Sequence, residues 1–198
     1  MVEKVLYSPI ESLMVEHSVL RRALMIYEEC ISRMNHGEEF NPDLLAEAVN
    51  VIKVIIIFHH ALLEHEYIFP RFIEADKHVE MAKILRRQHE KVGELQEIIL
   101  KYSNTQSINN PEEKNALIDA MKKSIRVFRP HIDQEDTEMF PDFKDVVTPY
   151  EFYELGEKFH EIAYQKWGVR GYGELVDKII HVEKALGIND LDSFTPEV

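Results

Sequence analysis

The stretch H-A-L-L-E-H-E-Y-I-F-P, His60 to Pro70, recurs as H-I-D-Q-E-D-T-E-M-F-P, His131 to Pro141. In both copies a Glu follows the His by four positions, and Phe-Pro follows by nine and ten. On an α-helix, positions i and i+4 stand one above the other on the same face. His60 and Glu64 therefore point at one spot, and so do His131 and Glu135. A neutral imidazole with a carboxylate, twice over, is a mixed nitrogen and oxygen donor set suited to iron or a similar first-row metal.

Working outward, His17 precedes His60 by 43 residues and His89 precedes His131 by 42. Each half of the chain is thus a helix with one His, followed by a helix with His-x-x-x-Glu. The helix starts are well marked. Ser8-Pro9-Ile10-Glu11 is a capping box with Pro at the first helical position. Asn41-Pro42, Asn110-Pro111 and Thr148-Pro149 repeat that kind of start. No segment alternates with the period of a strand. The pattern predicts helices over Pro9 to Asn35, Pro42 to Glu74, Lys77 to Tyr102, Pro111 to Val146 and Pro149 to Trp167. It predicts a break at Gly168 to Gly173, a sixth helix over Glu174 to Leu186, a polar loop over Asn104 to Asn110 and a loose tail from Gly187. The expected fold is all-α: an up-down four-helix bundle with an internal two-fold repeat over residues 8–146, and a C-terminal helical extension over 147–198.

Composition narrows the function classes. The chain has 198 residues, 45% of them hydrophobic, enough for a core, and its formal net charge is -13. Phosphate binding needs a concentrated basic surface, so a nucleic-acid partner is not expected. The one mildly basic run, Lys122, Lys123 and Arg126, reads as a solvated helix face. The apolar run Val49 to Ala61 is interrupted by Asn50, Lys53, His59 and His60 and is too short to span a bilayer. Cys30 is the one cysteine; it reads as a buried, inert thiol and fits a reducing compartment. The start, MVEKVLYSPIESL, lacks the pattern of a signal peptide. A cytoplasmic protein is expected.

Four histidines and two glutamates can converge from four helices: His17, His60, Glu64, His89, His131 and Glu135. Two irons sharing two carboxylates, each with two histidines, would have about four protein ligands apiece and about two open octahedral positions. Manganese or zinc could use the same donors. Open positions on a redox metal are what O2, NO or peroxide would need.

The order His … His-x-x-x-Glu … His … His-x-x-x-Glu, with its Phe-Pro tails, resembles the hemerythrin-like HHE cation-binding family. The local contexts Glu16-His17 and Gln88-His89-Glu90 are similar too. The resemblance runs from Ser8 to Val146, and the helices after Thr148 resemble the extension of some prokaryotic members. It implies a four-helix bundle and a carboxylate-bridged di-iron centre ligated by the six residues. In one respect the chain departs from the oxygen-carrying hemerythrins, which have two histidines four apart on the third helix. Here the position four after His89 is Gly93. The four-His, two-Glu set is more similar to members linked to peroxide breakdown, NO chemistry or iron–sulfur repair. Gly93 leaves space that a small ligand, or His160 and Tyr164 of the fifth helix, could fill. Tyr164 and Glu90 are candidate proton relays.

Other histidines are expected elsewhere. Adjacent helical residues point about 100° apart, so His59 cannot share the site with His60 on a regular helix and is expected behind it or in the core. His65 is expected on another face, and His36, His78 and His181 in solvent. Pro70 and Pro130 should bend their helices. Phe58, Phe69, Phe128, Met139 and Phe140 read as core, some of them walling the pocket. The rival classes are a non-enzymatic sensor or iron-delivery module acting through a partner protein, a zinc hydrolase, and a metal-free scaffold.

Overall fold

The computed structural model describes residues 7–195 other than Gly171, and among them it holds seven α-helices and no strand. They are α1 (Pro9–His36), α2 (Pro42–Glu74), α3 (Val79–Tyr102), α4 (Thr105–Asn109), α5 (Pro111–Gln134), α6 (Pro149–Trp167) and α7 (Gly173–Leu186). The four expected starts form as their side chains dictate. Ser8 Oγ accepts the Glu11 amide, and Glu11 accepts the Ser8 amide at 2.8 Å. Asn41, Asn110 and Thr148 likewise cap the helices that follow them. The polar loop expected at Asn104 to Asn110 instead winds into α4, because Asn104 Oδ1 accepts the Ser107 amide at 2.9 Å and caps one more turn.

α1 packs on α2 and α5, and α3 packs on the same two helices, so the four close a ring. Between them lie two apolar clusters. One includes Leu20, Leu24, Ile56, Val92, Phe128 and Ile132. The other includes Leu13, Leu63, Phe69, Leu85, Met139 and Phe140. His17, His60 and His89 each fall in sequence between members of the two clusters, and His131 lies next to Ile132, the last residue of the first cluster before the chain passes to Met139 of the second. The histidine layer therefore interrupts an otherwise continuous hydrophobic interior. α6 lies against α1 and adds Leu155 and Phe159 to the second cluster. The approach is close at Gly156, where a Cβ would come within 3.2 Å of the Tyr7 carbonyl oxygen. α7 lies against α1 and α2, held by Leu175, Ile179 and Val182 and by a two-pronged Arg22–Glu183 ion pair.

α2 is not a regular helix. It turns π-helical over Lys53–His60 and again over Glu64–Ile68, and the chain after α5 does the same over Glu135–Met139. The last two segments are equivalent in the repeat. In each, the amide of the Phe before Pro reaches back five residues, Phe69 to the Glu64 carbonyl and Phe140 to that of Glu135. Pro70 and Pro141 have no amide to continue the ordinary pattern, and the wider turn absorbs one extra residue. The fourth long helix is accordingly shorter than expected, breaking into a 3-10 turn at Pro141–Asp145. Phe58, expected in the core, is exposed, because the π segment shifts the phase of its face. Phe69, Phe128, Met139 and Phe140 are buried as expected.

α2 as a whole is long and apolar enough to cross a membrane, though the shorter run Val49 to Ala61 is not expected to. Most of that stretch is buried inside the protein. Lys122, Lys123 and Arg126 are exposed. The tail from Gly187 carries a 3-10 turn at Leu191–Phe194; residues 196–198 of it, and residues 1–6 at the other end, lie outside the described residues.

Cys30 sits fully buried in the first cluster, and burial pushes its thiol up to about 12. The native protein should therefore fail to react with a thiol-specific dye at neutral pH over the time in which denatured protein reacts completely. Rapid labelling of the folded chain would contradict this packing.

Candidate metal centre

Each of the four ring helices, or the π turn that extends it, contributes to one buried layer. α1 supplies His17, α2 His60 and Glu64, α3 His89, α5 His131, and the turn after α5 Glu135. All six side chains are buried, both glutamates completely. Their donor atoms form two overlapping groups: His17, His60, Glu64 and Glu135 in one, and His89, His131 and Glu135 in the other, with all atoms of a group within 4.8 Å of one another. His17 Nε2 is 3.1 Å from His60 Nε2 and 3.3 Å from Glu135 Oε2. His60 Nε2 is 3.2 Å from Glu64 Oε1, and His89 Nε2 is 3.4 Å from Glu64 Oε2. His131 Nε2 is 3.2 Å from Glu135 Oε2. Glu64 thus spans from His60 to His89, and Glu135 from His17 to His131.

The second ring nitrogen of every histidine has a partner. His17 Nδ1 meets Asp136 Oδ1 at 2.7 Å and His60 Nδ1 meets Glu16 Oε2 at 3.0 Å. His131 Nδ1 meets Gln88 Oε1 at 2.8 Å and His89 Nδ1 meets His65 Nε2 at 3.1 Å. An Nδ1–H donated in this way leaves the Nε2 lone pair facing inward, the arrangement a ligand histidine needs. These partners follow the repeat. Glu16 and Gln88 precede the lone histidines of their halves. His65 and Asp136 follow the two motif glutamates, and each reaches the lone histidine of the other half. The Phe-Pro phenylalanines do the same: Phe140 stacks on His17 with ring centres 5.5 Å apart, and Phe69 on His89 at 6.3 Å.

His65 therefore belongs beside the layer, not on the separate face expected of it. The π turn that begins at Glu64 changes the angle between neighbouring residues and brings both inward. His59 stays behind the layer as expected, buried, with Nε2 3.3 Å from Glu16 Oε1. Tyr172, in the break before α7, donates its hydroxyl to the same Glu16 oxygen, and Trp167 packs on His59. No repeat or spacing pointed to Tyr172, whereas Glu16, Gln88, His65 and Asp136 share repeat registers that could have been found. His36 and His181 are exposed as expected. His78 is half-buried and 2.8 Å from Asp142, a correction that follows from its place at the left-handed turn before α3. His160 and Tyr164 are in neither group, and Glu90 and Tyr164 are exposed.

The residues fit a cation. None of the four oxygens of Glu64 and Glu135 makes a hydrogen bond, nor does His89 Nε2, although all are buried. Neutral buried groups left so would each cost about 1–3 kcal/mol, and charged ones more. Bonds of about 2.0–2.1 Å from a first-row ion, meeting near a right angle, end about 3 Å apart, close to the spacing of these donors. Burial, and then the charge of Glu135, raises the pKa of Glu64. Burial also pushes Glu135 up, but His131 and then His17 outweigh it and hold Glu135 well below the usual range. Burial lowers His89 well below its ordinary value, with His131 adding to the effect. Burial pushes His60 and His17 down as well, but Glu64 and Glu16 raise His60 well above its ordinary value, and Asp136 and Glu135 raise His17.

A paired His/Glu layer enclosed by four helices defines a helical metal-cation-binding domain. The chain belongs to the hemerythrin family: the model of the hemerythrin HHE cation binding domain matches residues 8–143. Relatives include the uncharacterized protein Mb2018 of Mycobacterium bovis and the uncharacterized protein Rv1995 of Mycobacterium tuberculosis. Each is 35% identical over 186 residues, covering 94% of this chain and 73% of the relative. No solved structure matches the chain.

Beside Gly93 the space inferred from sequence is bordered by Ile57, whose Cδ1 would lie 3.7 Å from a Cβ built there, an ordinary contact. Gly93→Ala should then gain helix propensity of about 1 kcal/mol without a clash. That corresponds to a rise in Tm of about 2–4 °C, with metal content unchanged. A lower Tm in a thermal melt would show that the position is needed bare.

Proposed function

We propose that His17, His60, Glu64, His89, His131 and Glu135 hold two iron ions, and that the protein binds or reduces a small ligand such as O2, NO or peroxide. The observation that carries this reading is the convergence of four outward-braced imidazoles and two carboxylates without hydrogen bonds in one buried layer. Iron bound there would supply reversible redox change and open positions for the ligand. The histidines would hold the ions through Nε2, and Glu64 and Glu135, each of which faces a histidine of both pairs, would neutralise their charge. Glu16, Gln88, His65 and Asp136 orient the rings, while Phe69, Phe128 and Phe140 keep bulk water out. A surface groove of about 260 Å³ has Asp136 and Phe140 in its wall, both in contact with His17. A ligand of a few atoms would approach the layer along it.

In this reading the fold is an up-down four-helix bundle with an internal two-fold repeat over residues 8–146, carrying 147–198 as an extension. It works in the cytoplasm, without nucleic acid or membrane. One observation favours the rival sensor or iron-delivery reading. Tyr172, at the start of the last helix, touches Glu16 and so links the extension to the centre.

Protein purified without oxygen should contain about two irons per chain by elemental analysis, in keeping with dinuclear carboxylate sites in other bundles. Glu64→Ala and Glu135→Ala should each lose most of that metal; unchanged iron content in both would sink the proposal. Manganese or zinc as the bound ion would keep the ligand set and displace iron. Multiple turnovers of peroxide or NO would support an enzyme, whereas one equivalent bound per centre and no turnover would favour the sensor.

A further inference from the structure

The two histidine pairs share one scaffold but carry different charges behind them. Behind His17 and His60 stand two carboxylates, Asp136 at 2.7 Å and Glu16 at 3.0 Å. Behind His89 and His131 stand an imidazole, His65 at 3.1 Å, and an amide, Gln88 at 2.8 Å. The registers are the same; the residue types are not.

Both carboxylates are held in place. Asp136 takes Arg21 Nη2 on Oδ2 at 2.7 Å and keeps Oδ1 for His17. Glu16 takes Tyr172 and His59 on Oε1 and keeps Oε2 for His60. On the other side Arg86 donates to the His65 backbone carbonyl at 3.3 Å, so a cation stands near both pairs while the ring-facing carboxylates stand behind the first. A carboxylate that accepts an imidazole N–H makes the opposite nitrogen more basic and a better donor to a cation, and an amide does so less.

Resting on the two-ion reading above, we infer that His17 and His60 form a tight ion subsite and His89 and His131 a weak one. The first ion to bind and the last to leave is held by His17 and His60. Glu16 and Asp136 act through those histidines as positioning residues. Because each of the two glutamates faces a histidine of both pairs, the difference comes from the groups behind the rings.

The test is an anaerobic titration of the metal-free full chain with Fe(II) against a competing chelator. Two steps should appear, differing by about 10-fold or more in affinity. Glu16→Gln should weaken the first step by about 10–100-fold and spare the second. Gln88→Glu should strengthen the second step by about 10-fold, a gain that a misfolded variant could not produce. His131→Ala should keep one tightly bound ion, and His60→Ala should not. Thermal melts of the metal-free variants check that each is folded. Two steps of equal affinity, or a tight ion retained in His60→Ala, would overturn the inference and leave the metal centre standing. A wild-type chain that binds no Fe(II) would remove the metal-centre reading itself.

Discussion

Two carboxylates without hydrogen bonds, buried in the middle of an apolar helical interior, are the constraint on which the remaining structure depends. Ionised groups are taken out of water only at a cost of several kcal/mol unless opposite charge or strong hydrogen bonds offset it. Glu64 and Glu135 face four imidazoles across 3.2–3.4 Å without the geometry of a hydrogen bond. The apolar clusters above and below do not solvate them. The layer is therefore a place where the fold gives up stability unless a cation completes it. A hemerythrin-family chain with this layer concentrates its strain where its chemistry lies.

That layer is held by exchange between the halves of the repeat. His65 supports a histidine of the second half, and Asp136 supports one of the first. Phe69 and Phe140 cross in the same way. Neither hairpin can complete its own set, so the geometry exists only when the four helices are assembled. The π turns make this possible. By taking up one extra residue before each Phe-Pro, they bring Glu and its successor to the same side of the helix.

Much of this was legible beforehand, for identifiable reasons. Helix starts were readable because Ser, Asn and Thr followed by Pro satisfy the first amides through short-range bonds. The six inward residues were readable because i, i+4 spacing and a doubled motif report one face. What was misread traces mainly to one assumption, a uniform helix of 3.6 residues per turn. Under it His65 turns away and Phe58 turns in, and the π segments reverse both. Tyr172 was invisible for another reason: it reaches Glu16 through the packing of α7 on α1, a contact between residues 156 apart with no periodic trace. The short helix α4 depended on one Asn104 side chain finding an amide three residues on.

The hydroxyl of Tyr172 on Glu16 gives the last helix a say in the centre that none of the six inward residues reveals. Glu16 divides its two oxygens between that hydroxyl with His59 on one side and His60 on the other. A shift of α7 against α1 would redistribute the charge behind His60 with every inward side chain unchanged. The segment after the bundle would then act as a dial on an unchanged set of histidines and glutamates.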